Sequence, residues 1–305
     1  MSPSDPPVSP TVSVPARNAP LVGIGLMVLG IFAYSVNDVM GKWLVSTYSV
    51  PQILLIRSIF ALAILAPFIW REGRTAFMTM PRPGLQLLRG AAVVFEVTCF
   101  YWSVAYLPLA DVMTYYLAGP IYVTALSPFL LGERVGWRRW TAVIVGFVGV
   151  LIALRPSAGT LSLPAVAAFA GSLSFALLMI ITRKLRGTSE TVLITMQVVA
   201  PLIFGLIVAP LGWLQPSRLD FVLLGLLGVV SMSAGFCVNR ALKLAPASVV
   251  VPYQYTMIVW AVIFGYVFFA DIPRPETLIG AAIIVAAGLF IFLREQAAAR
   301  QRPAE

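Results

Sequence analysis

"FEVTCFYWSVAYLPLADVMTYYLAGPIYVTALSPFLL", residues 95–131, runs from the middle of one apolar segment through a tight "LPLAD" turn to the end of the next, and its 37 residues carry two charges, Glu96 and Asp111. A helix at the surface of a soluble protein shows charge on one face. This stretch is apolar and aromatic all round, so its surroundings are apolar as well.

The rest of the chain has the same character. Its 305 residues are 60% hydrophobic and 11% charged, with a mean hydropathy of +0.93, which indicates a polytopic membrane protein. The net charge of +9 sits in short turns between apolar runs and reads as a topology signal, not a nucleic-acid surface. Cys99 and Cys237 both fall inside apolar runs, as small buried hydrophobes do. With no His in the chain, most zinc and haem sites and the Ser-His and Cys-His hydrolases are excluded; no cofactor or metal is expected. The Pro- and Ser-rich residues 1–20 read as a disordered cytoplasmic tail. The apolar run that follows is too long for a signal peptide and is kept as the first span.

Apolar segments of about 20 residues occur ten times, at roughly 21–45, 51–70, 85–107, 111–131, 140–154, 163–182, 191–211, 220–242, 248–269 and 277–293. Placing the N-terminus inside puts fifteen Lys and Arg on the cytoplasmic side against three opposite, with residues 294–305 as a cytoplasmic tail. That bias orients the chain with both termini cytoplasmic. A weak self-similarity recurs about 140 residues apart: "GKWL" (41–44) with "TRKL" (182–185), "AYLPLADV" (105–112) with "ALKLAPASV" (241–249), and "LLGER" (130–134) with "FFADI" (268–272). The expected fold is all-α, ten transmembrane helices in two five-helix repeats, 21–154 and 163–293. Five is odd, so the second repeat must insert inverted, as in alternating-access transporters with a midplane site.

Lys42 closing the first span, Arg57 in the second, the "LPLAD" and "LAPAS" turns and "GER" after the fourth span together resemble the EamA family of the drug/metabolite transporter superfamily. The resemblance covers residues 21–293. It implies a ten-helix transporter of small organic solutes in the bacterial inner membrane, its cavity lined by the third, fourth, eighth and ninth spans. Within the family the aromatic segments are similar to those of YddG-type aromatic amino-acid exporters, and S-adenosylmethionine importers look alike at this level. Two departures stand out. Asp271 replaces the family's Glu, and Met196 or Gln197 stands where the second half would repeat Arg57.

Intramembrane charges are costly and must face the bundle interior or water. Glu96 lies near the midplane on a small and polar stripe with Ala92, Cys99, Phe100 and Ser103, apart from the lipid-compatible Val93, Val97 and Val104. It is expected to face the cavity, where three roles compete: binding a substrate amino group, carrying a coupling proton, or bracing the bundle. Asp38 and Lys42 are spaced to pair on one helix, with Arg57 at similar depth; they form a charge network or an outer gate. Pro120 and Pro128 in the fourth span and Pro252 in the ninth predict kinks beside a cavity. Tyr101, Tyr115, Tyr122, Tyr253, Tyr255 and Trp260 gather there, as an amphipathic organic solute requires.

The expected function is export of amino acids, aromatic or large neutral ones favoured, or of related metabolites. Uptake of a metabolite such as S-adenosylmethionine is the alternative, and a membrane-embedded enzyme or a receptor ranks lower because neither paired catalytic groups nor a single module is visible. Its partners would be a small-molecule substrate and the lipid bilayer, without nucleic acid. Small residues in "GFVGV" (146–150) and "GAAIIVAAG" (280–288) fit packing within a monomer or across a homodimer.

Overall fold

The computed structural model describes residues 19–132, 135–154, 162–185, 187–244 and 251–300. Among them all regular structure is helical: α1 (Ala19–Val45), α2 (Val50–Glu72), the short α3 (Arg74–Met78), α4 (Pro83–Tyr106), α5 (Leu109–Leu117), α6 (Gly119–Leu131), α7 (Trp137–Leu154), α8 (Leu163–Lys184), α9 (Glu190–Val208), α10 (Arg218–Leu244), α11 (Thr256–Phe269) and α12 (Pro275–Arg300). Of these, α1, α2, α4, α8, α9 and α10 are long and apolar enough to cross a membrane, and α7, α11 and α12 carry shorter apolar stretches. Proline starts several of them, in the first turn of α2, α4, α6 and α8, where its missing N–H costs nothing. Gly132, at φ 69°, closes α6 in the left-handed conformation.

The opening stretch resolves differently from one continuous fourth span. Helix α5 stops at Leu117 and α6 restarts at Gly119 with Pro120 in its first turn. Pro120 has no N–H to offer the carbonyl one turn back, and its ring crowds that carbonyl. Pro128 lies inside α6 without ending it. In the second half a 3₁₀ turn, Val251–Tyr255, contains Pro252 and leads into α11. Most of the "LAPAS" turn, residues 133–134 of "GER", and residues 1–18 and 301–305 lie outside the described residues. The expected tail from 294 instead begins as helix, because α12 continues through "LREQAAAR" to Arg300, a run of strong helix formers.

Helix α1 packs chiefly on α10, α4 on α8, α2 on α9, α7 on α12 and α5 on α11. Exchange the two sets, α1 for α8, α2 for α9, α4 for α10, α5 and α6 for α11, α7 for α12, and the α1–α10 contact becomes the α8–α4 contact. The other three pairings map onto themselves. Glycines permit the closest approaches. Gly228 of α10 rests on the Arg57 backbone, and a Cβ on Gly149 of α7 would stand 3.0 Å from the Gly280 carbonyl oxygen of α12. Gly149 and Gly280 are therefore used between α7 and α12, whereas Gly146 faces Ile121 of α6 and Gly288 the Tyr255 ring.

Outward surfaces are aliphatic: Ile144, Val148 and Leu151 on α7, Ile203, Leu206 and Ile207 on α9, Val259, Ile263 and Val267 on α11 are all exposed. Exposed tryptophans and tyrosines lie towards the two ends, Trp43, Tyr106 and Trp213 at one, Trp70 and Trp137 at the other. Apolar walls between aromatic girdles belong in a bilayer. The protein is a multi-pass membrane protein.

Candidate functional site

At one end of the bundle α1, α4 and α11 finish and α2, α5, α10 and α12 begin, and polar contacts tie the first five spans to the second. Lys42 Nζ lies 2.5 Å from Asp271 Oδ2 and 3.1 Å from the Leu107 carbonyl oxygen, over the Phe269 ring. Asp111 Oδ1 accepts from Thr277 at 2.5 Å, and its Oδ2 lies 2.8 Å from Arg274 Nη2. The Tyr48 hydroxyl donates to Asp220 at 2.7 Å; this bond, with burial, raises the phenol's pKa. Gln52 both donates to and accepts from the Leu214 backbone.

Here the structure departs from the expected Asp38–Lys42 pair. Lys42, one turn nearer the end of α1, reaches a carboxylate and a free carbonyl at the helix-end loops. Asp38 stays buried with Asn37, whose Nδ2 donates to it at 3.3 Å. The cluster divides accordingly: Lys42 belongs to the end seal, whereas Asp38 and Arg57 lie deeper. The Asp111–Arg274–Thr277 contact was missed in the sequence because its partners stand 163 and 166 residues apart. Asp111 within the "LPLAD" turn and Arg274 in the turn between the ninth and tenth spans were the available signal.

Below the seal lies a cavity of roughly 200 Å³, with Tyr34, Arg57, Ser58, Gln197, Ser231 and Asn239 as its polar lining and Val93 and Val97 among its apolar walls. It extends from mid-bundle along α10 to Asn239, away from the sealed end. Arg57 Nη1 donates to the Tyr101 hydroxyl at 2.8 Å, and Nη2 lies 3.5 Å from Ser231 Oγ. Asp38 and Glu96 stand close enough for their charges to act on Arg57, yet neither lies within 4.0 Å of it among the described residues. Gln197, at the position where a repeat of Arg57 was sought, accepts from Arg89 at 2.8 Å. Arg89 is 5% exposed and also donates to Thr182 at 2.9 Å and to the Leu193 carbonyl at 2.8 Å. It locks α4 to α8 and α9.

The face of α4 that carries Glu96 also touches its neighbours. Its stripe meets α8 and α5: Ser174 donates to the Ala92 carbonyl, the Tyr116 hydroxyl to the Glu96 carbonyl, and Ser103 Oγ lies 2.9 Å from the Pro164 carbonyl oxygen. Val93 and Val97, expected to meet lipid, line the cavity, and Val104 is core. Helix α4 has protein on most sides, so the polar and apolar faces do not separate cavity from lipid. Tyr101 is buried beneath Arg57. Tyr115 and Tyr122, 2% and 1% exposed, are packed in the core, Tyr122 against Phe147 and Phe169. Tyr253, Tyr255 and Trp260 are part-buried, and Trp260 packs with Phe32 and Phe264.

The model of the EamA-like transporter family matches residues 21–155 and 162–293. S-adenosylmethionine uptake transporters of Rickettsia bellii and Rickettsia felis are 30% and 29% identical, each alignment covering 91% of this chain and 95% of the relative. The pseudopaline exporter CntI of Pseudomonas aeruginosa is 28% identical over 87% of this chain and 94% of its own. A solved crystal structure superposes with a TM-score of 0.60 at 15% identity, covering 93% of this chain and 99% of its own, and so shares the fold. The aromatic amino-acid specificity of the YddG type has no counterpart among these names.

Proposed function

The chain belongs to the EamA-like transporter family, and from that premise we propose a secondary transporter of a small organic metabolite, working by alternating access across a bacterial cytoplasmic membrane. Ten spans in two inverted repeats, 21–154 and 163–293, form the path. The family match in two blocks and the exchange symmetry of the helix contacts support this arrangement. One asymmetry carries the mechanistic reading: among the described residues the ion pairs across the halves, Lys42–Asp271 and Asp111–Arg274, lie at one end of the bundle, while the cavity extends towards the other. With the fifteen-to-three bias of cations, the sealed end is periplasmic and the cavity is reached from the cytoplasm. Transport requires the seal to open as the cytoplasmic side closes.

S-adenosylmethionine is the first candidate substrate and uptake the first candidate direction, from the relatives of nearly full-length similarity. Export of an amino-acid-derived metabolite is the second reading, favoured by the similarity to a pseudopaline exporter. Purified protein in proteoliposomes, given labelled S-adenosylmethionine and a panel of labelled amino acids with and without a pH gradient, tests both. Saturable flux above that of empty vesicles is expected for at least one solute. Linear, non-saturating entry for every one of them would sink the proposal.

A further inference from the structure

The substrate path contains a cation whose hydrogen-bonding capacity is largely unused. A guanidinium carries five N–H donors in a planar fork matched to a carboxylate. Arg57 engages the Tyr101 phenol at 2.8 Å and Ser231 Oγ at 3.5 Å, the second a long contact, and no carboxylate among the described residues lies within 4.0 Å. Arg89 shows what a structural arginine looks like in this bundle, with three acceptors at 2.8, 2.8 and 2.9 Å and a position outside the cavity lining. Arg57 lines the cavity. An intramembrane cation is costly to place, and leaving its fork open towards a cavity has a use when a ligand completes it.

We infer that Arg57 is the anchor for a carboxylate on the substrate, so that the solute carried is an amino acid or a metabolite bearing a comparable organic-acid end. This rests on the transport reading above and names the substrate class of the same cavity. Asp38 and Glu96 stand behind the lining, within range of Arg57. Neither occupies its donors. A direct Asp–Arg or Glu–Arg pair would have consumed the fork and made the site a strut. Tyr34, Ser58, Gln197, Ser231 and Asn239 supply neutral hydroxyl and amide groups for the polar atoms beside the carboxylate. At roughly 200 Å³ the cavity takes an amino-acid-sized group, smaller than the 300–1,000 Å³ usual for a whole drug-sized ligand. The remainder of a larger solute extends beyond it.

The test is ligand-induced thermal stabilisation of the full chain in detergent, with S-adenosylmethionine and a set of L-amino acids, each compared with its own methyl ester, and with riboflavin as a solute lacking a carboxylate. At least one acid should stabilise the protein saturably, with its ester at least about tenfold weaker, as loss of a charge-assisted bidentate contact implies. Arg57→Gln should bring acid and ester within about twofold of each other. Arg57→Lys, which keeps the charge without the fork, should retain part of the preference. The inference is overturned if ester and acid bind alike to the unaltered protein, if Arg57→Gln preserves the preference, if riboflavin binds and no acid does, or if nothing binds. The comparison on the unaltered protein needs no variant to fold. Saturable flux without acid preference would remove this inference and leave the transport reading standing; acid preference without flux would do the reverse.

Discussion

Asp111→Asn should unlatch the sealed end. The Asp111 carboxylate is 3% exposed and accepts from Thr277 at 2.5 Å and from Arg274 at 2.8 and 3.1 Å. The amide keeps the shape but loses the charge, so the guanidinium is left with at most a neutral acceptor. A hydrogen bond to a charged group contributes about 1.5–3 kcal/mol, and Arg274, 42% exposed, recovers part of its loss to water. A net cost to the closed state of about 2–4 kcal/mol follows, which at about 1.4 kcal/mol per tenfold favours opening by roughly 30- to 700-fold. The readout is labelling of a reporter thiol in Met113→Cys, one turn inside the sealed-end start of α5 and 3% exposed, on a background with Cys99→Ala and Cys237→Ala. A membrane-impermeant maleimide applied from the periplasmic side should react faster by a factor in that range when Asp111→Asn is added. Lys42→Met should have the same sign, because it removes the other ion pair across the halves. Unchanged labelling in both variants, with the protein folded and inserted, would show that these contacts are static struts and refute the gating argument.

Arg89→Met should lower the melting temperature in detergent well below that of the parent, since it deletes three hydrogen bonds, among them the one to the Gln197 amide oxygen. The expected cost is about 3–5 kcal/mol, and a melt within a degree of the parent would contradict it. Gly228→Ala should also destabilise, by about 1–3 kcal/mol, because its Cβ would run into the Arg57 backbone; melting curves of the two proteins decide this. Tyr48→Phe should cost stability at neutral pH. The raised phenol pKa means the native pair holds its proton more tightly than the unfolded chain does, so its contribution is complete below about pH 10, the ordinary tyrosine range. It is lost as pH rises further. The difference in melting temperature between Tyr48→Phe and the parent should therefore shrink above that pH, and a constant difference to pH 11 would rule out the bond as its cause.

The long apolar helices were readable because a bilayer demands long apolar segments and punishes charge, so the positions of α1, α2, α4, α8, α9 and α10 follow from composition alone. The break in the opening stretch at Ala118 was readable as well, since Pro120 forbids a continuous hydrogen-bond ladder whatever surrounds it. The partners of the charges were not. Asp38 and Lys42 sit at a spacing that suits an intrahelical pair, and nothing local says that Asp271, 229 residues from Lys42, offers a better one. The role of Val93 and Val97 was misread for a related reason. A hydrophobic-face argument assumes that one side of a helix meets lipid, and α4 meets protein on most sides.

What the sequence determined by itself is the membrane environment, the apolar segments and their tight turns, and the family resemblance, all of which depend on residue chemistry over short windows. Only the tertiary structure decided which carboxylate satisfies which cation. It brought Asp271 to Lys42 and Asp111 to Arg274 at one end, gave Arg89 three partners, and left Arg57 with donors to spare beside a cavity. Desolvated charges are governed by distances across helix interfaces, and those distances are set by packing between halves of the chain, which no local reading of "FEVTCFYWSVAYLPLADV" contains.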